Sequence, residues 1–377
     1  MAGRRIRAAI IGSGNIAELT HVPALRTQGD RVDLVAAVDI DADQVKGFCE
    51  RTRVPRGYTS PQEMLEAEHP DLVHVCTPPA THVDLVVRCL EAGAWVLVEK
   101  PPTLSLAEYD RIEAAERDGG PYASVVFQHR FGSAGRHAAE LIGSGELGRP
   151  LVAVCNTLWY RPQEYFDVPW RGRWATEGGG PTMGHGIHQM DLLLAMLGDW
   201  SEVTAFAGRL DRVTETEDVS MAVARFESGA MATIVNSVLS PRQESYLRFD
   251  LTDATVEVSH LYGYQNTDWT YTPAPHVVDD VARIERWRTP DGQERSGHQP
   301  QVRALLDAMD RGVRPPLSGR QGRQGLELVT GIYQSAFTRA PVRRSEITPD
   351  SPFYRSLHGD SPGWAPGTTP RAEESRG

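Results

Sequence analysis

The chain has 377 residues, 40% hydrophobic and 24% charged, the profile of an ordinary globular protein of about two domains. Its net charge of −11 argues against nucleic acid as a partner, since binders of the phosphate backbone are typically basic. The four cysteines, Cys49, Cys76, Cys89 and Cys155, form no CxxC pair, and Cys76 and Cys155, inside apolar runs, read as reduced core residues, as in a cytoplasmic protein.

Arg4-Arg5 precede a short apolar run, Ile6–Ile11, which stops at Gly12. That run is too short for a signal segment or a membrane span, and reads as a buried first strand. Further apolar runs at Leu34–Val38, Leu72–Cys76, Trp95–Val98 and Ala123–Phe127 also read as strands buried on both faces. Helical stretches lie between them, at Ala42–Arg53, across Asp84–Glu91, and at Ser105–Arg117, where Ser105 and Glu108 form a capping box. This alternation predicts an α/β fold over residues 1–130, a doubly wound parallel sheet of the Rossmann type.

From Leu151 the strands lengthen and alternate apolar with polar: Leu151–Tyr160, Val203–Arg209, Val219–Phe226, Ala230–Val238, Leu247–Leu251 and Thr255–His260. They predict an α+β domain over 131–358, a large open and mostly antiparallel sheet, with late helices at Val302–Arg311 and Gln324–Ala340 packed on it. Residues 359–377, rich in Pro, Gly, Ser and charge, are expected to be a disordered tail.

Gly12-Ser13-Gly14-Asn15-Ile16-Ala17 follows the first strand and opens a helix, in the pattern G-x-G-x-x-A. Gly12 permits the tight turn, Gly14 lets a pyrophosphate approach the backbone, and Ala17 lets helix and strand pack closely. The backbone N–H groups at Asn15 and Ile16 begin a helix whose end attracts phosphate. Asp39 closes the second strand, where a carboxylate accepts the ribose diol of NAD and repels the 2′-phosphate of NADP. NAD is the expected cofactor, over NADP.

With these features, the chain resembles the glucose–fructose oxidoreductase, inositol dehydrogenase and rhizopine-catabolism family, Gfo/Idh/MocA. Thr77-Pro78-Pro79-Ala80-Thr81-His82 is similar to its T-P-x-x-x-H. Glu99-Lys100-Pro101 is similar to its E-K-P, and Glu177–Asp191 to its glycine run followed by G-x-H-x-x-D. The resemblance implies oxidation of sugar or cyclitol hydroxyls with NAD(P), and homodimers or homotetramers built through the C-terminal sheet. It implies that Thr77, Pro78 and His82 lie along the cofactor, that Glu99 and Lys100 border the nicotinamide, and that His188 is the acid/base histidine. Gln128 (cofactor) and Arg130 (substrate) are expected in the same cleft.

Oxidising a secondary alcohol needs a proton acceptor with a pKa near the working pH, which suits histidine and a buried lysine. Lys100, His188 and His185 are therefore the catalytic candidates. The family pattern has Asp four residues before its histidine; here that position is Gly184, and His185 follows it. His185-Gly186 is similar to the His-Gly pair of NAD-dependent glycosidases in the same superfamily, whose redox-neutral cycle needs two proton-transfer groups. A non-catalytic NAD-binding regulator is a third reading. His185-x-x-His188-x-x-Asp191 does not match H-E-x-x-H zinc spacing, so no metal is expected.

Residues 159–174 are dense in aromatics and arginines, as a carbohydrate pocket is. Tyr160, Arg171 and Trp174 are the expected substrate contacts, along with His185 and His188. Trp159 and Phe166 are expected to be scaffold. The Tyr262–Tyr271 segment is expected to close the pocket or an oligomer interface.

Overall fold

The computed structural model describes residues 4–361 and 363, so the tail expected over 359–377 lies almost wholly outside the described residues. The chain forms two compact units, each made of non-contiguous segments.

The first unit comprises residues 1–103, 108–126 and 298–323. Its sheet has six strands, β1 (Ile6–Ile11), β2 (Val32–Val38), β3 (Gly57–Tyr58), β4 (Leu72–Val75), β5 (Trp95–Val98) and β6 (Ala123–Val125). They run parallel in the order β3-β2-β1-β4-β5-β6. Because β1 is paired with both β2 and β4, the winding reverses there. Register places Ile11 beside Val38 and Val75, and Val75 beside Val98. The residues just past those strands therefore meet at one edge, where doubly wound sheets bind ligands.

The helix His298–Arg311 belongs to this unit and not to the antiparallel sheet, against the sequence expectation. Its apolar stripe decides this: Val302, Leu305 and Leu306 are buried in one core with Ala8, Ile10, Val22, Leu25 and Val32. Arg31 on the same side pairs with Asp307 and Asp310, each at 2.7 Å.

The second unit comprises residues 104–107, 127–297 and 324–377. It holds β7 (Pro150–Tyr160), β8 (Trp200–Gly208), β9 (Val219–Phe226), β10 (Met231–Ser237), β11 (Leu239–Leu251), β12 (Ala254–Ser259), β13 (Trp269–Pro273) and β14 (Val342–Arg343). Their order is β13-β12-β11-β7-β10-β9-β8-β14. Every pair is antiparallel except β7 with β10. Burial alternates along β9 and β10, as period-two strands require when one face is covered. The helix Ile187–Leu197 packs against β7 and β11. The opposite face leaves Phe206 and Met221 opposed at 77% and 55% exposure, with Val152, Val223 and Met231 also exposed. The Trp269–Tyr271 stretch forms the edge strand β13. All four cysteines are free thiols, and no described helix is long and apolar enough to cross a membrane.

Leu306→Ala removes a fully buried side chain from the first unit's core. Urea denaturation should show a loss of about 2–5 kcal/mol.

Candidate active site

The first unit carries its candidate residues on loops just past the strands. Gly12 has φ +95°, and a Cβ there would lie 2.8 Å from the Cys76 carbonyl, so the turn accepts only glycine. At Gly14 a Cβ would meet nothing within 4 Å. Gly14, Asn15 and Ile16 are exposed while Ala17 is buried, which leaves the start of the helix open to a diphosphate. The Asp39 carboxylate accepts from the Ser13 N–H at 2.9 Å and the Ser13 hydroxyl at 2.8 Å, both through Oδ2. Its Oδ1 takes one long bond, 3.2 Å, from the Asp41 N–H. The next helix is capped by Asp41 and not by Asp39. These residues fit a dinucleotide with a free ribose diol.

Thr77 and Pro78 form the loop after β4, tied by the Thr81 hydroxyl to the Thr77 hydroxyl (2.7 Å) and the Pro78 carbonyl (2.9 Å). His82 is fully buried, with one ring nitrogen 2.7 Å from the Thr77 carbonyl and the other 2.9 Å from the Pro101 carbonyl. It joins the two loops and has no ring nitrogen left for a ligand. Burial lowers its pKa, although both carbonyls favour the charged ring.

Glu99 and Lys100 follow β5, and here the structure adds residues that sequence reasoning missed. Glu99 Oε1 lies 2.9 Å from His21 Nε2 and 3.2 Å from His298 Nε2, while Oε2 accepts from the Lys100 backbone N–H at 3.1 Å. His74 stands behind, its Nδ1 2.9 Å from His21 Nδ1. Burial pushes Glu99 up, but the two histidines outweigh it and hold the carboxyl well below its ordinary range. Burial holds His21 and His74 below the ordinary histidine value. His21, Glu99 and His298 could also hold a metal ion, their ligand atoms lying within 4.8 Å of one another. The separations of Glu99 from the two histidines are those of hydrogen bonds. The legible signal was His74, a polar residue inside the apolar strand LVHV.

The second unit gathers the histidines. Thr182–Gly186 is wound as a π-helical turn, and an α-helix runs from Ile187. Such wide turns recur at functional sites. His185 meets Trp159 at a ring distance of 5.0 Å and Tyr165 at 5.9 Å, with the Tyr165 hydroxyl 3.4 Å from its Nε2. His188 stacks on His129 at 5.2 Å and meets Tyr262 at 6.0 Å. Trp159 and Tyr262 are 6.5 Å apart, so one chain of rings links both histidines. His129 was not singled out in the sequence, although it lies between Gln128 and Arg130.

Other expectations shift. Arg130 grips the buried Asp191 with two bonds of 2.6 Å and the Asp191 carbonyl at 3.1 Å, so its guanidinium is committed to the fold. Gln128 donates to the Tyr262 hydroxyl, and its buried Oε1 has no hydrogen-bond partner among the described residues. Trp159, expected as scaffold, stands at His185. Tyr160 points the other way, as adjacent strand residues must, and is 41% exposed under Arg212. Trp174, expected as a substrate contact, packs instead on Tyr333, Phe337 and His358. Arg171 does reach the cluster, over Tyr165 at 3.9 Å.

The glycine run before the π-turn has a local cause. A Cβ on Gly180 would lie 1.9 Å from the Glu217 carbonyl oxygen. The buried Glu217 carboxylate accepts from the N–H groups of Gly180 (2.9 Å) and Thr182 (3.0 Å), and from the Tyr333 hydroxyl at 2.9 Å. These glycines therefore serve close packing within the unit, where the sequence suggested approach to cofactor and substrate.

Residues 6–127 match an oxidoreductase family with an NAD-binding Rossmann fold, and residues 136–259 match the GFO/IDH/MocA C-terminal domain. The chain is 26% identical over 366 residues to D-glucoside 3-dehydrogenase of Escherichia coli K12, covering 91% of this chain and 98% of that protein. It is 24% identical over 354 residues to myo-inositol 2-dehydrogenase of Thermotoga maritima, covering 91% and 99%. Its fold is similar to the WlbA dehydrogenase of Bordetella pertussis, solved with NADH and UDP-GlcNAcA. That match has a TM-score of 0.79 and 27% identity, covering 90% of this chain and 99% of that one.

Burial pushes Glu217 up to about 7, past the effect of its hydrogen bonds. A carboxyl raised by folding stabilises fully below its unfolded value and loses that contribution as pH rises through about 7. Thermal unfolding from pH 4 to 8 should therefore show wild type losing roughly 3 kcal/mol relative to Glu217→Gln, which cannot ionise.

Proposed function

The chain belongs to the GFO/IDH/MocA oxidoreductases, and from that premise we propose that it is an NAD-dependent dehydrogenase oxidising a secondary hydroxyl of a sugar, glycoside or cyclitol. The observation that carries this reading is the shared edge of β1, β2, β4 and β5, where Gly12, Asp39, Thr77 and Lys100 follow neighbouring strands. NAD, when bound, supplies the hydride acceptor. Asp39 would take the ribose diol, and Gly14, Asn15 and Ile16 the diphosphate.

The remaining chemistry falls to side chains. His188 accepts the hydroxyl proton, and the Lys100 ammonium steadies the developing alkoxide. Glu99 holds the Lys100 backbone in place. The rings of Trp159, Tyr165 and Tyr262 offer the apolar faces that sugars stack upon. A second reading is favoured by one feature, the Tyr165 hydroxyl beside His185 Nε2. With His188 it gives two proton-transfer positions, as a redox-neutral glycosidase needs. The free thiols suit a reducing cytoplasm.

Purified protein with NAD and a panel of sugars, cyclitols and aryl glycosides tests both readings, with NADH absorbance and aglycone release followed together. Net NADH supports the dehydrogenase, and Lys100→Ala should then lower kcat by about 10²–10⁴-fold. Aglycone release without NADH supports the glycosidase. NAD binding with neither product overturns both.

The exposed apolar face of the second sheet supports self-association there as a dimer or tetramer. Light scattering should find a multiple of the 41.6 kDa chain, reduced to a smaller species by Phe206→Glu with Met221→Glu. A monomeric wild type would remove this assignment.

A further inference from the structure

Two arginines reach the ring cluster about His185 and carry more charge than their surroundings cancel. Arg161 follows β7, its guanidinium 4.9 Å from the Trp159 ring centre and 5.4 Å from that of Tyr165. It donates to the Tyr160 carbonyl at 2.8 Å and to Gln243 Oε1 at 3.3 Å, both neutral acceptors. Among the described residues no carboxylate pairs with it. Arg171 lies over Tyr165 at 3.9 Å and Trp170 at 4.3 Å. The carboxylate paired with it is Glu177, a long 3.5 Å away, whose other oxygen accepts from the Gly172 N–H at 2.6 Å.

Burial pushes both guanidiniums below their ordinary value; at Arg171 Glu177 offsets part of that, and Arg161 adds a smaller repulsion. Among the described residues Arg171 thus has one weakly placed carboxylate and Arg161 none, in a partly dry, aromatic setting. A half-buried cation without an anion is costly, and a guanidinium fork is matched by a carboxylate or a phosphate. The location is fixed by Tyr165, which both arginines overlie and whose hydroxyl reaches His185.

We propose that the substrate carries an anionic group, a carboxylate or phosphate on the sugar, and that Arg161 and Arg171 bind it. This rests on the sugar-oxidising reading and narrows its substrate class. Bland packing of arginines on aromatic rings is the competing explanation, and it predicts no preference between charged and neutral sugars.

Calorimetry on the NADH-saturated protein separates the two, using D-glucuronate, D-glucose 6-phosphate, UDP-glucuronate and D-glucose as probes. At least one anionic probe should bind about tenfold or more tightly than D-glucose, an advantage that shrinks with added salt. Which one binds distinguishes carboxylate from phosphate recognition. Arg161→Met should bring that probe down to the affinity of D-glucose. Equal affinity for charged and neutral probes, or binding of no anionic probe, overturns the proposal without any variant having to fold. Turnover is scored separately: an anionic probe that binds and gives no NADH counts against the dehydrogenase and leaves the anion site standing.

Discussion

The carboxylate of Glu99 ties together stretches of chain that lie far apart in sequence. An ionised group buried this deeply costs several kcal/mol unless its oxygens are satisfied. Here His21 and His298 meet one oxygen, and the Lys100 backbone meets the other. The arrangement therefore needs the helix after the glycine turn, the end of β5 and the start of a helix from the last quarter of the chain, all at once. In return it leaves Lys100 little backbone freedom. His74 extends the network into the sheet, where its Nε2 has no hydrogen-bond partner among the described residues.

The second unit follows the same logic with different groups. Arg130 and Asp191 neutralise each other in the interior and join the segment after β6 to the helix that carries His188. Glu217 receives the Gly180 and Thr182 N–H groups just where the π-turn begins. The turn and helix that carry the imidazoles are thus anchored through Arg130, Asp191 and Glu217. Around them stand the rings of Trp159, Tyr165 and Tyr262, with the guanidiniums of Arg161 and Arg171 over Tyr165.

Much of this was legible in the sequence, and the reasons for success and failure are physical. The Rossmann half is written in local signals: apolar runs buried on both faces, a glycine turn, and an acidic residue at a strand end. The alternating strands of the second sheet were equally visible, although β13 and the two-residue β3 and β14 were not. Non-local pairings were hidden. Nothing near His298 says that it meets residue 21, and nothing near Arg130 says that it meets Asp191 and not a ligand. The choice between Trp159 and Tyr160 turned on which strand face points inward, a matter of register. The Gly178-Gly179-Gly180 run looked like room for a ligand because sequence cannot show Glu217 arriving from the next strand pair.

The placement of His298–Arg311 also sets an order of events during synthesis. The first unit cannot close its core until Val302, Leu305 and Leu306 exist, and about 170 residues of the second unit are made between Val126 and that helix. At the usual ribosomal speed this is a wait of ~10–30 s. For that interval the nascent first sheet lacks one of its apolar covers, and the pocket for His21 lacks one of its partners. The half that is written first is therefore finished late, and a chaperone that shields apolar surface during translation has a defined patch to cover, the one beside Val22, Leu25 and Val32.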